Sequence, residues 1–205
     1  MTGKLTMKGV SVRTENAHVC PVERAGGLDN RARRWFQNPE RILRPYVKKG
    51  MTVLDIGCGP GFFSLPLAGM VGESGRVIAA DLQEGMIEKL RAKIEGTEAA
   101  RRITLHKSEQ SRIGVTDPVD FALAFYMVHE VPDRKRLFDE IVSILKKAGC
   151  LLIVEPKFLH VSRAQFEDTI LDAREEGFEI VDRPKVFASR AVLLQKKGEN
   201  PSSSK

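Results

Sequence analysis

The sequence predicts a doubly wound α/β fold: a mostly parallel, seven-stranded sheet with one antiparallel strand and helices on both faces. Three observations carry this expectation. Short apolar runs of strand length alternate with stretches whose apolar residues recur at helical spacing, an alternation that favours a parallel sheet. The first apolar run, Val53-Leu54-Asp55-Ile56, leads directly into Gly57-Cys58-Gly59-Pro60-Gly61, a strand ending in a tight turn. The last two apolar runs lie too close together for a crossover helix, so they must pair antiparallel.

Each element has its own signal. Residues 1–20 lack periodicity and read as an arm. Residues 31–36 and 39–46 read as short helices, the second opened by Asn38 as a cap and Pro39 at the first helical position. Gly50 breaks to the first strand, 52–56. Residues 63–71 read as a helix, with Pro66 tolerated near its start. Gly72-Glu73-Ser74-Gly75 is a turn before the second strand, 76–80. In 84–95, Met86, Ile87, Leu90 and Ile94 share one helical face. Residues 103–106 form a short third strand, and 121–125 a fourth that is apolar enough to be central. Residues 133–145 read as a helix capped by Asp133, 151–154 as the fifth strand, and 162–176 as a helix ended by Gly177. Strands 178–181 and 191–195, joined through Arg183-Pro184, complete a chain of five β-α units and a terminal pair.

The division of the chain follows. Residues 1–48 form a basic arm and lid helices, 49–196 the ligand-binding catalytic domain, and 197–205, with Pro201 and three serines, a disordered tail. A chain of 205 residues suits one such domain plus an extension. No apolar stretch approaches the ~18 residues of a membrane span, and the first ten residues show no apolar signal segment. Cys20, Cys58 and Cys150 are odd in number and scattered, which argues for a reducing, cytoplasmic compartment and against a zinc cluster. Residues 1–50 hold 11 Lys/Arg against 4 Asp/Glu, while the other 155 residues hold 22 against 23. The net positive charge therefore sits in the N-terminal quarter. It reads either as a solvated helix face or as an approach for an anionic partner.

The glycine turn is the most informative segment. Gly57, Gly59 and Gly61 can take backbone angles closed to other residues, so a ligand can lie against bare main chain. Asp55 places a carboxylate beside the turn. Asp81 ends the second strand, which in this fold lies beside the first, and an acid there can accept both hydroxyls of a ribose. The spacing discriminates between ligands. A dinucleotide turn has G-x-G-x-x-G, whereas here the third glycine comes one residue early and Phe62-Phe63 follow. A P-loop is excluded, because no Gly-Lys-Ser/Thr follows. Asp55 would repel a phosphate and suits a ligand carrying an ammonium or sulfonium.

Triplet, Asp55 and Asp81 together resemble the nucleotide loop of class I S-adenosylmethionine-dependent methyltransferases. The resemblance covers residues 39–195 and is closest to the small-molecule branch typified by quinone-biosynthesis C-methyltransferases. The single reversed strand also suits that fold better than a dehydrogenase fold. The resemblance implies S-adenosyl-L-methionine as cofactor. Its site would be Asp55, Gly57, Cys58, Gly59, Gly61 and Phe62 at the turn, then Asp81, Leu82 and Met86 after strand two. Ser108 and Glu109 follow strand three, and Phe125 and Tyr126 follow strand four. In the family an acid after strand three binds the adenine amine. Glu109 falls at that register, although Ser108-Glu109-Gln110 departs from the family's Gly-Asp-Ala. The segment from Phe125 to Asp133 resembles the family's Leu-His-His-Val-Pro-Asp, and aromatic faces there suit a sulfonium. Cys58 reads as small packing within the turn.

His129 is the leading candidate for chemistry on the acceptor, as a base or in a structural role. An imidazole can remove a proton from a hydroxyl, thiol or acidic carbon. Glu130 is placed to orient it, Glu155 is the second candidate base, and Lys157 could hold a substrate anion. Cys150 reads as core. Cys20, with His18 nearby, reads as lid packing or a thiolate, and the pair is too few for a metal site. Trp35 and Phe36 read as anchors of the lid helix.

The leading function is methyl transfer to a small molecule, anionic if the basic segment is its approach. The basic N-terminal quarter motivates an RNA substrate as the alternative. Against it stand the scarcity of aromatics for base stacking and the lack of an Asn/Asp-Pro-Pro-aromatic segment after strand four. A third reading is a non-catalytic S-adenosylmethionine-binding partner protein. The expected partner is a small methyl acceptor, with no nucleic acid and no membrane span. The thin lid leaves a place for a second copy, in a homodimer, to help close the site.

Overall fold

The computed structural model describes residues 35–157 and 161–198. The arm, Cys20 with His18, His160 and residues 199–205 of the tail lie outside the described residues.

The elements follow in order α1 (Pro39–Leu43), β1 (Thr52–Ile56), α2 (Ser64–Val71), β2 (Arg76–Asp81) and α3 (Glu84–Ile94). Then come β3 (Ile103–Lys107), β4 (Val119–Phe125), α4 (Arg134–Ile144) and β5 (Leu145–Pro156). The chain ends with α5 (Arg163–Glu175), β6 (Phe178–Asp182) and β7 (Ser189–Lys196). The strands form one sheet in the order β3-β2-β1-β4-β5-β7-β6. All pairings are parallel except those of β7, which runs antiparallel to both β5 and β6. The fold is the mostly parallel, doubly wound sheet that the pattern of runs predicts.

Strand burial explains why these runs are strands. β1 and β4 are buried on both faces, so they read as continuous apolar runs and sit at the centre. Two apolar layers sandwich them. Leu43, Leu67, Val71, Ile87 and Leu90 of α1, α2 and α3 cover one face. Leu137, Phe138, Ile141, Phe166 and Ile170 of α4 and α5 cover the other. Each fully buried side chain of this size stabilises the fold by about 1.5–3 kcal/mol. The helix starts are set by side chains: Asn38 accepts from the Arg41 N–H, Asp133 from that of Arg136, and Ser162 forms a capping box with Gln165.

Three expectations need correction. The first helix stops at Leu43 rather than continuing to residue 46, because Pro45 has no N–H to donate back. The fifth strand is 12 residues long rather than four. Its polar start, Lys146-Lys147-Ala148-Gly149, carries no apolar signal, and the register with β4 shifts there, where Ala148 takes a positive φ of 63°. The count of five β-α units is one too many. The stretch between β3 and β4 holds no helix, only an isolated bridge between Glu109 and Arg112.

Candidate active site

The strand order reverses between β1 and β4, since the chain runs outward through β2 and β3 on one side and through β5 on the other. Ligands in such sheets bind beyond the carboxyl ends of the strands at this reversal. The glycine turn lies there.

The three glycines are present for three different physical reasons. All have positive φ: 67° at Gly57, 53° at Gly59 and 92° at Gly61. A Cβ on Gly61 would stand 2.4 Å from Leu90 Cδ1, so this glycine lets α3 pack against the turn. One on Gly57 would stand 3.1 Å from Met127 Cβ, so the chain after β4 rests directly on the turn. One on Gly59 would meet nothing within 4 Å among the described residues. Gly59 therefore has space for a further atom beside its Cα, although the residue itself is buried and Gly57 is the exposed glycine of the turn. The N–H groups of Gly57 and Cys58 both donate to the Ala80 carbonyl, which fixes the turn onto β2.

Asp81 joins the turn to the next helix. Oδ2 accepts from the Gly59 N–H and Oδ1 from the Gln83 N–H, each at 2.8 Å. Burial raises its pKa above the usual carboxylate value, against the pull of those two N–H groups and of Lys107. Each carboxylate oxygen keeps acceptor capacity for a further donor. A glycine turn with space beside Gly59 and such an acid bonded to it fits an adenosine ribose, so the residues present suit the cofactor the sequence implies.

Asp55 is less accessible than expected. It is 2% exposed and accepts from the Ser64 hydroxyl at 2.6 Å, tying β1 to the start of α2. Cys58 is buried between the two acids. Desolvation first, then Asp55 and Asp81, push its pKa far up, so it remains a thiol.

The aromatic residues form a ladder. Phe62 meets Phe63 edge-on, Phe63 lies 4.3 Å from Phe125 and Phe125 lies 4.5 Å from Tyr126, centroid to centroid. Phe62 and Phe125 are buried in the layer behind the turn, and Met86 is buried under α3. Tyr126 has a positive φ of 60°, which turns the chain out of the sheet. Its hydroxyl bonds to the Gln37 amide and to Ser189 Oγ at 2.6 Å, tying β4 to the N-terminal segment and to β7.

Leu82 is half-buried. Ser108 donates its N–H to the Asp81 carbonyl. Glu109 is exposed, and its two oxygens meet Arg112 Nε at 3.0 Å and Nη2 at 2.7 Å. Arg112 lowers its pKa. Each Glu109 oxygen keeps acceptor capacity beside this partner, which competes for it.

His129 lies on a 3-10 turn, Val128–Glu130, beyond β4. The carboxylate hydrogen-bonded to its ring is Glu155, not Glu130 as the sequence suggested. Glu155 Oε2 meets Nδ1 at 2.6 Å, and Oε1 accepts from the His129 backbone N–H at 3.1 Å. Glu155 thus holds both the ring and the main chain of His129. Burial of the ring disfavours imidazolium, but the hydrogen bond and charge of Glu155, with Glu130 adding, outweigh it. The His129 pKa is raised.

Sequence reasoning missed Ser64, Gln37, Ser189 and Met127. The Glu155 contact had a usable signal: in the order β1-β4-β5, the residue after Val154 lies level with the residue after Phe125. Among the described residues no cluster of metal-binding side chains is present, and no helix is long and apolar enough to cross a membrane. A separate cavity of about 460 Å³ opens beside α1, lined by Trp35, Phe36, Arg41, Tyr46, Lys185 and Phe187. Phe36 stacks on Phe187 at 5.1 Å, whereas Trp35 is 85% exposed and does not serve as an anchor.

Comparisons with known proteins agree with this geometry. A family model described as "Methyltransferase domain" matches residues 53–149. Demethylmenaquinone methyltransferases of Bacillus cereus (strain AH187) and Bacillus anthracis are each 27% identical over 125 residues, covering 61% of this chain and 52% of theirs. The chain thus spans about half the length of these curated relatives. The crystal structure of a SAM-dependent methyltransferase from Aquifex aeolicus superposes with a TM-score of 0.77 at 26% identity, covering 87% of this chain and 100% of that one. The [4+2]-cyclase SpnF superposes at 0.66 with 17% identity, covering 78% of this chain and 80% of that one, and shows the fold alone. The matched domain, the fold and the solved Aquifex neighbour together support a class I S-adenosylmethionine-dependent methyltransferase. Within that class its resemblance in sequence runs to the demethylmenaquinone methyltransferases.

Proposed function

We propose that this protein transfers the methyl group of S-adenosylmethionine to a small molecule at the space beside Gly59. The observation that carries this reading is the space beside Gly59, in a positive-φ glycine turn whose Gly59 N–H donates to Asp81. Asp81 would accept the ribose hydroxyls. The main chain of residues 57–61 would line the amino-acid arm, and Ser108 and Glu109 the base. The cofactor supplies an activated methyl carbon on a sulfonium. The protein's task is to hold the acceptor in line with that carbon and to keep water out. His129 takes the acceptor's proton.

The positive N-terminal quarter supports an anionic acceptor. The Bacillus relatives are named for demethylmenaquinone, so that compound heads the acceptors to be screened. The three scattered cysteines support a reducing, cytoplasmic setting. A second copy closing the site over its thin lid is part of the same reading.

Calorimetric titration with S-adenosylmethionine and with its demethylated product tests the proposal. Saturable binding of both is expected. No heat at ~1 mM ligand, where only interactions weaker than about 4 kcal/mol escape detection, would reject it.

A further inference from the structure

Glu155 is a carboxylate shut away from water. It ends β5 with its side chain 1% exposed, and both oxygens meet one residue. Oε1 takes the His129 backbone N–H and Oε2 takes Nδ1 of the ring. A buried carboxylate is poorly explained by stability alone, since an apolar residue of similar volume serves a core as well. The two-point contact fixes the 3-10 turn and the rotation of the ring together. It also fixes the tautomer. With Glu155 ionised, Nδ1 carries the proton, and the basic lone pair of the neutral ring lies on Nε2. The His129 side chain is 22% exposed, so its ring meets solvent while its partner does not.

We propose that Glu155 is a positioning residue that holds His129 as proton acceptor, for a methyl acceptor that carries a proton on its attacking atom: a hydroxyl, a thiol or an acidic carbon. The inference rests on the methyltransferase reading above. A base is needed only where the attacking atom X is protonated. The X–H proton moves to Nε2, and the X–H electron pair becomes the bond to the methyl carbon. The carbon–sulfur pair stays on sulfur, which becomes neutral. The imidazolium that forms is offset by the Glu155 charge until water removes the proton. The other charged groups around this pair are Glu130 on the same turn and Arg190, the register partner of Glu155 on β7. The Arg190 guanidinium donates to the carbonyls of Lys157 and Val161.

Nitrogen-15 NMR of the full chain reads the ring directly, with His129 assigned by its loss in His129→Gln. The neutral ring is expected as the Nδ1–H tautomer. Glu155→Gln should lower its pKa by about one unit or more and leave affinity for the demethylated cofactor unchanged. An Nε2–H tautomer in the wild type overturns the proposal, and this arm needs no variant to fold. A titration that Glu155→Gln leaves in place overturns it too. Wild-type protein that binds no cofactor would instead reject the methyltransferase reading, with the ring's tautomer still judged by NMR. Incubating cell extract with labelled methyl donor reads the acceptor. Label on oxygen, sulfur or carbon is expected, and a quaternary ammonium product, made from a nitrogen with no proton, would overturn the acceptor class. Turnover of any such acceptor should rise with pH through the His129 titration, and this limb should move to lower pH in Glu155→Gln.

Discussion

The two halves of the site are built from different materials. Between β1 and β2 the site is made of main chain: three positive-φ glycines, N–H groups on Ala80, and one acid bonded to Gly59 and Gln83. Between β4 and β5 it is made of side chains that meet across the sheet, His129 with Glu155 and Tyr126 with Gln37 and Ser189. A main-chain surface recognises a ligand common to a whole class and tolerates little substitution. A side-chain surface can change its acceptor while the first half stays fixed. SpnF makes the point from the other side, because it is a [4+2]-cyclase on the same fold.

Changes within the glycine turn should give the largest effects and should separate packing from binding. Gly61→Ala drives a Cβ into Leu90 and holds it at a φ of 92°. A loss of about 3 kcal/mol is expected from overpacking and the left-handed backbone together, read as a lower urea midpoint. Gly59→Ala meets no neighbour and should cost stability only about 1 kcal/mol for its backbone. Its Cβ fills the space beside the turn, however, so cofactor affinity should fall sharply. Equal stability losses at the two positions would erase the distinction drawn between them.

Asp81→Ala comes next. Removing the ribose acceptor should weaken cofactor binding by about 1–3 kcal/mol, measured by calorimetry. Unchanged affinity would place the site elsewhere. In the second half, Tyr126→Phe removes the hydroxyl that joins two buried polar side chains, Gln37 and Ser189. It should destabilise by about 1–2 kcal/mol while leaving cofactor affinity in place.

Smaller effects sharpen the comparison. The raised His129 pKa makes its pairing with Glu155 a pH-dependent contribution to stability. That contribution is fully present below the ordinary histidine value of about 6.5 and is lost as pH rises through the higher folded value. The stability gap between wild type and His129→Gln should therefore narrow with rising pH, and a constant gap would contradict the ion pair. Arg112→Ala should leave stability unchanged, since the pair it breaks is exposed. If Glu109 serves the base, the same change tightens cofactor binding by removing the competing partner.

The contrast also explains what the sequence made legible. Strands 52–56 and 76–80 and the glycine turn announce themselves because backbone constraint falls on residue type: glycine is the residue most at ease at those φ values, and apolar runs fill a central strand. Asp81 is visible for the same reason, at a strand end beside the turn. The contact of His129 with Glu155 joins residues 26 apart, and that of Gln37 with Tyr126 joins residues 89 apart. No local pattern records such meetings, so Glu130, adjacent in sequence, looked the better partner. The packing of Phe62 and Phe125 was equally hidden: both rings meet Phe63, a contact that joins residues 62 apart in the case of Phe63 and Phe125.

A crystal structure with the demethylated cofactor bound would test the central claim most directly. Density for the nucleoside should lie over Gly59, with both ribose hydroxyls on the Asp81 carboxylate. Density in the cavity between Trp35, Tyr46 and Phe187, with the space beside Gly59 empty, would contradict it.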